Sequence, residues 1–363
     1  MRRFLMMLLT LFLLLTPALA ADDVLDQQWA SLDPDKLQDA AGEYAPGDLQ
    51  SIDLDGGLEN LLDTGSAELM GVLHKAVRSG VLLLAVVLLC SLAEGAYAGS
   101  GNENAVQVVP IVGAIAITAI AVTDVHSLIG LGREALGHME TFAKVLLPTM
   151  AVATAASGSP GGAAARQLAT MLFSNVLMGL ITGLLLPLVY AYIAACVAHA
   201  AVGNEGLKRV AAMLKWVVTT VLTVLLIGFV GYLTVSGVIA GSTDAVAVKT
   251  AKFAVSSMVP VVGSILSDAA ETVLAGAGIL KNAVGVFGML VILSMCLVPF
   301  LQLGVHYLTY KVTAALSATV AEGRVAGLID GIGGAFGLVL GMTGSCAVLL
   351  LVSMVSAVSL VAP

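Results

Sequence analysis

Six stretches of this chain run for at least 17 residues as nearly unbroken apolar sequence: residues 81–97, 106–122, 168–198, 216–235, 284–306 and 336–361. Together they hold one charged side chain, Glu94. A helix needs about 20 such residues to cross the hydrocarbon of a bilayer. Inside that layer a backbone satisfies its hydrogen bonds only as helix or as closed barrel. Runs of this length without period-two alternation predict helices. The expected fold is therefore all-α: a polytopic membrane protein with about six transmembrane helices, plus amphipathic or re-entrant helices between them. Composition agrees. Of the 363 residues, 59% are hydrophobic and 11% charged, against roughly 25% charged in soluble domains.

The net charge of −8 belongs to one segment. Residues 21–70 carry thirteen acids and one base, Lys36, whereas residues 71–363 carry thirteen bases and eleven acids. The bases are scattered and not interleaved with aromatics, which excludes a nucleic-acid surface. At the start, Arg2 and Arg3 precede an apolar run over residues 4–16 and a small-x-small site, Pro17-Ala18-Leu19-Ala20. This predicts a signal peptide over residues 1–20, cleaved after Ala20. An uncleaved anchor is the alternative, and both place residues 21–70 outside the cytoplasm as an acidic tail. That tail reads either as short amphipathic helices, around Leu58, Leu61, Leu62 and Leu69, or as a disordered acidic segment. Residues 71–363 form the membrane domain. Cys90, Cys196, Cys296 and Cys346 are isolated in apolar runs and read as small buried hydrophobes.

With the tail outside, successive crossings put Lys208, Arg209 and Lys215, then Lys311 and Arg324, in cytoplasmic loops, as the positive-inside rule requires. Lys249, Lys252 and Lys281 fall outside. The segment 145–156 decides the count of spans. Pro148 and Pro187 are 39 residues apart, and so are Pro260 and Pro299. Each of these prolines is expected to break a helix. The two pairs suggest a parallel internal repeat with units 145–240 and 257–361: a proline-led element, a kinked span, a cytoplasmic loop and a return span.

One apolar region keeps its charges. On a helical wheel, Val262, Leu266, Ala269, Val273, Ala277 and Leu280 share a face, and Ser264, Ser267, Asp268 and Glu271 lie opposite. A charge at mid-bilayer costs about 2.5–3.5 kcal/mol on insertion scales. Asp268 and Glu271, with Lys252 and Lys281, are therefore candidate wet-face or subunit-contact residues. An interfacial helix with solvated charges is the other reading. Gly323, Gly327 and Gly331, then Gly333, Gly337 and Gly341, recur every four residues and predict a close helix–helix contact. Glu322 and Asp330 read as solvated flanks of the last span. Glu134 and His138 stand at i, i+4 without a third ligand nearby, so no metal site is expected. The chain has no GxxxxGK, HExxH or GxSxG pattern, and neither an enzyme nor a cofactor is expected.

The segments VPVVGSILSDAAETV, residues 259–273, and ILKNAVGVFGM, residues 279–289, with the leader, the acidic tail and the later spans, resemble the stage III sporulation protein AE family. The likeness is strongest over residues 245–310. It implies a multi-pass subunit of a channel-like, secretion-related complex in the mother-cell membrane around the forespore, needed for forespore development. It also implies partners: the other stage III sporulation A-operon proteins, one resembling secretion ATPases and others forming rings, and stage II sporulation protein Q on the forespore side. It carries over no catalytic residue. The residues alone leave a second function open, a self-sufficient small-solute permease with its substrate held between the repeats near Pro148 and Pro260.

Overall fold

The apolar runs become helices much longer than a bilayer is thick. The computed structural model describes residues 33–47, 54–98, 103–156, 160–258, 263–321 and 323–358, with backbone alone over 97–98, 103–107, 156, 160–168, 233, 235–258, 263–277 and 356–357. The expected signal peptide (residues 1–20), Pro260 and Glu322 lie outside the described residues. The helices are α1 (Pro34–Ala41), α2 (Leu54–Ala98), α3 (Glu103–Ala156), α4 (Pro160–Leu180), α5 (Leu186–Val202), α6 (Glu205–Met258), α7 (Gly263–Ser317) and α8 (Gly323–Val358). There is no strand among the described residues. Six helical segments are long and apolar enough to cross a membrane: Leu54–Ala96, Val108–Ala155, Ala169–Val202, Glu205–Tyr232, Gly278–Ser317 and Gly323–Val355. Each overlaps one of the six runs expected from sequence.

At 1.5 Å per residue, α3 and α7, with 54 and 55 residues, are each about 80 Å long. Each joins an apolar run to an amphipathic neighbour. α3 continues from its apolar start through residues 128–144 and 145–156, and α7 links the two-faced stretch from Gly263 to the run at 284–306. The chain does not stop at the prolines inside them: α3 runs through Pro148 and α7 through Pro299. Pro187 follows a π-helical turn, Ile181–Leu185, that joins α4 to α5. A proline cannot donate to the carbonyl four residues back and its ring crowds that group, so the wider turn relieves the clash at Gly183.

α7 and α8 form the central antiparallel hairpin, and α3 packs on both. α2 lies on the outer side of α7, while α4, α5 and α6 lie on the far side of α8. The α2–α3, α5–α6 and α7–α8 turns gather at one end. There Ser91 Oγ donates to the Val320 carbonyl at 2.7 Å, and a side chain at Gly113 would meet both Cys90 and Val325. Gly203 closes α5 with φ 74° and its N–H bonded to the His199 carbonyl, a left-handed cap that favours glycine. A methyl group there would also collide with the Arg324 guanidinium. This end therefore collects the bases of both basic loops.

Part of the acidic segment is ordered against the bundle. α1 packs on α3 through Leu37 and Ala41, both buried. Just beyond it, Tyr44 sets its ring against His138 at 5.3 Å, edge to face. Burial pushes the Tyr44 phenol pKa up, and the nearby Glu43 and Glu134 add to the shift.

Candidate functional site

The glycines of α8 divide between two faces. Gly333, Gly337 and Gly344 face α7: an added Cβ would lie 2.9 Å from Tyr310 Cβ, 2.9 Å from Tyr307 Cε2 and 3.0 Å from Phe300 Cζ, respectively. Gly331 and Gly334 face α5, where an added Cβ would lie 2.7 Å from Cys196 Sγ and 2.8 Å from the Tyr192 hydroxyl. Gly323, Gly327 and Gly341 meet nothing within 4 Å. The four-residue spacing thus located the contact and misread its register. A step of four turns a helix about 40° past a full circle, so the third member of a ladder drifts off the face and a residue seven away returns to it.

Close backbones bring polar side chains together where α3, α7 and α8 cross. The Tyr310 hydroxyl donates to Asp124 Oδ2 at 2.8 Å, and the Tyr310 ring sits edge-on to Phe336 at 5.1 Å. One residue on, Lys311 Nζ pairs with Asp330 Oδ1 at 2.6 Å and lies 5.9 Å from the centre of the Tyr307 ring. His306 is buried, with Nδ1 2.8 Å from the Gln302 carbonyl. The carbonyl accepts, so Nδ1 carries the proton. Asp330, expected to be solvated, is exposed and also pairs with Lys311. The signal for that pair was present: the two residues stand at nearly equal distances from the 318–322 turn, which an antiparallel hairpin brings opposite each other. The Asp124–Tyr310 bond joins residues 186 apart and had no sequence signal. These contacts fix helix crossings; they do not assemble a nucleophile with a base.

Of the charges singled out from sequence, Lys281 is fully buried in α7, at 0% exposure. It lies one turn before Gly285, where α7 and α8 touch through Val358. Lys252 lies on α6, and Asp268 and Glu271 on α7, with side chains outside the described residues. The Glu134–His138 pair is present at 3.9 Å. Among the described residues no group of three His, Cys, Asp or Glu side chains could hold a metal ion.

A second feature was not apparent from sequence. Asp55, Glu59, Asp63 and Glu68 of α2 are exposed, as are Arg133, Glu134 and Lys144 of α3. This charged face does not lie beyond the end of the apolar bundle. Gly57 of α2 packs against Leu290 and Gly65 against Leu297, while Met139 of α3 meets Cys296. The charges therefore stand level with the middle of α7's apolar run, on one side of the molecule only. On the opposite side, at the same height, α6 exposes Val224, Ile227 and Val230.

No solved structure matches the chain. Stage III sporulation protein AE of Bacillus subtilis (strain 168) is 25% identical over 260 residues, an alignment covering 71% of this chain and 65% of the relative. The family model described as stage III sporulation protein AE matches residues 47–360, and the chain belongs to that family.

Proposed function

We propose that this protein is a non-enzymatic, multi-pass subunit of a channel-like, secretion-related complex that links mother cell and forespore, and that the charged face of α2 and α3 is where it meets its partners. One observation carries the reading: acids and bases on α2 and α3 lie at the height where the other side of the bundle is apolar. A charge facing lipid at mid-bilayer costs about 2.5–3.5 kcal/mol, so this face needs water or protein beside it. Family membership supplies the sporulation setting. By resemblance, the partners are the other stage III sporulation A-operon proteins and stage II sporulation protein Q, and the membrane is the mother-cell membrane around the forespore. The leader over residues 1–20 and the grouping of basic loops at one end support an orientation with the acidic tail, α1 and the far ends of α2 and α3 outside the cytoplasm.

Asp268 and Glu271 belong to the same proposal, because they lie in the first turns of α7, at its end away from the basic loops. The permease reading asks for helices broken near Pro148 and Pro260; α3 is continuous through Pro148, which does not favour it. Gentle purification from sporulating cells tests the two. Recovery with sibling sporulation proteins supports the subunit; a lone protein that moves a solute into liposomes supports the permease. In the same cells, Asp268→Leu with Glu271→Leu is expected to lower spore yield at unchanged protein level. Normal sporulation would leave these acids without a role in contact.

A further inference from the structure

Beside the seam between α2 and α7 the bundle leaves a groove open. Between Leu54 and Met70, Gly65 alone is buried, so this half of α2 rests on α7 through a single ridge. At about 100° per residue, Leu58, Leu62, Leu69 and Leu73 fall within about 60° of one another, about 90° round from Gly57 and Gly65. All four leucines are exposed, Leu62 by 74%. On α7, Leu290 and Leu297 meet α2, whereas Phe300 and Tyr307 meet Gly344 and Gly337 of α8. These two contacts stand about 80° apart round α7, and Val286 and Leu293 lie between them, partly exposed. Helices seated that far apart on a third hardly touch each other, and α2 and α8 hardly touch here. α8 contributes Val348 and Val355, 46% and 51% exposed. They fall between its contacts at Gly344–Phe300 and Val358–Gly285, at the height of Leu58 and Leu62. α2 runs along α7 in the same direction and α8 in the opposite one, so both exposed stripes turn toward Leu293.

We infer that this groove receives one helix of a partner protein, apolar toward Leu62 and Val348 and edged with lysine or arginine. A helix resting on α2 and α8 completes a four-helix bundle over α7, in the way amphipathic helices fill apolar grooves elsewhere. The leucine stripe from 58 to 73 is about 22 Å long, room for about four turns. Asp55, Glu59 and Asp63 follow it at i, i+4 and i+8 along its outer edge, and they form no ion pair among the described residues. Charges flanking an apolar stripe select a partner of opposite sign. Lipid tails offer these carboxylates nothing at that height. A second copy, held at the same height by the same membrane, offers no basic edge either. Among the side chains described near that height, its exposed lysines and arginines are Lys144 and Arg133, eleven residues apart on α3, and Lys144 is paired with Glu140 at 2.7 Å. The inference rests on the reading of α2 as a partner contact and adds what the partner presents there.

A photo-crosslinking amino acid placed singly at Leu62, Val348 and Ile227 tests this in sporulating cells, with the partner peptide in each adduct sequenced by mass spectrometry. Positions 62 and 348, on the two walls, are expected to mark the same helix of one partner, with lysine or arginine at three- or four-residue spacing, and 227 is expected not to mark it. Glu59→Lys with Asp63→Lys should weaken the adduct at 348 several-fold at unchanged protein level. Glu59→Gln with Asp63→Asn, which keep the side-chain shapes, serve where the reversed pair does not fold. Different proteins at 62 and 348, a second copy of this chain, lipid alone, a shared helix without basic residues, or the same helix at all three positions would each overturn the inference. Its failure is distinct from that of the subunit reading. Sibling sporulation proteins recovered on purification, with no adduct from either wall, would remove the groove alone; a chain recovered by itself would remove both.

Discussion

The α7–α8 and α2–α3 hairpins are similar in hydropathy and opposite in use. In their most apolar stretches 56% and 61% of α7 and α8 residues are buried, against 28% in each of α2 and α3. Hydropathy reports that a segment avoids water; it does not report whether lipid or protein replaces the water. What separates the two hairpins is small residues. α8 puts Gly333, Gly337 and Gly344 under aromatic side chains of α7, and in lipid, where apolar burial gives helices no reason to associate, close packing of this kind holds them together. The tip of the α2–α3 hairpin shows Leu88, Leu89 and Leu92 outward instead. Its far half carries the charged face. The first hairpin is built as a core, the second as a boundary.

Substitutions can break or sharpen that contrast. The largest effect is expected from Gly337→Leu, which drives a side chain into the Tyr307 ring; overpacking of this kind costs about 1–3 kcal/mol. Thermal unfolding in detergent should shift down by several degrees, while Gly341→Leu, four residues on in the same ladder and facing open space, should unfold like the parent. Equal effects would mean the register assigned to the α7–α8 contact is wrong. Next is Tyr310→Phe, which removes the bond to Asp124. Hydrogen bonds between membrane helices average about 0.6 kcal/mol and reach about 1.7, so a small downward shift of the melting midpoint is expected. Lys311→Met should cost less than about 1 kcal/mol, because its pair with Asp330 is partly exposed. The smallest effect belongs to the other hairpin: Leu89→Ala, a substitution on an outward face, should stay within about 0.5 kcal/mol.

Much of the architecture was readable from local sequence. The six spans follow from the length of the apolar runs, and the shared end of the basic loops follows from where the lysines and arginines fall. The prolines were less informative. At Pro148 and Pro299 the helices continue because neighbouring helices hold them on both sides of the missing hydrogen bond, and that support is tertiary. The glycine ladder was half readable: its place was right, but the face each glycine takes depends on Tyr192, Tyr307 and Tyr310 from other helices. The height of α2 against α7 was not readable at all. It is set by Gly57, Gly65 and Gly80 meeting residues more than 200 positions away, so the acidic run that looked like a tail beyond the bundle lies along its side. The Asp124–Tyr310 bond escaped notice for the same reason.

The central claim is that the charged side of α2 and α3 faces protein partners and the apolar side of α6 faces lipid. A photo-crosslinking amino acid placed at Asp63 and, separately, at Ile227 tests it in sporulating cells. Crosslinks from position 63 to other sporulation proteins, with none beyond lipid from position 227, are the predicted result. Protein crosslinks from 227 together with silence at 63 would contradict the account.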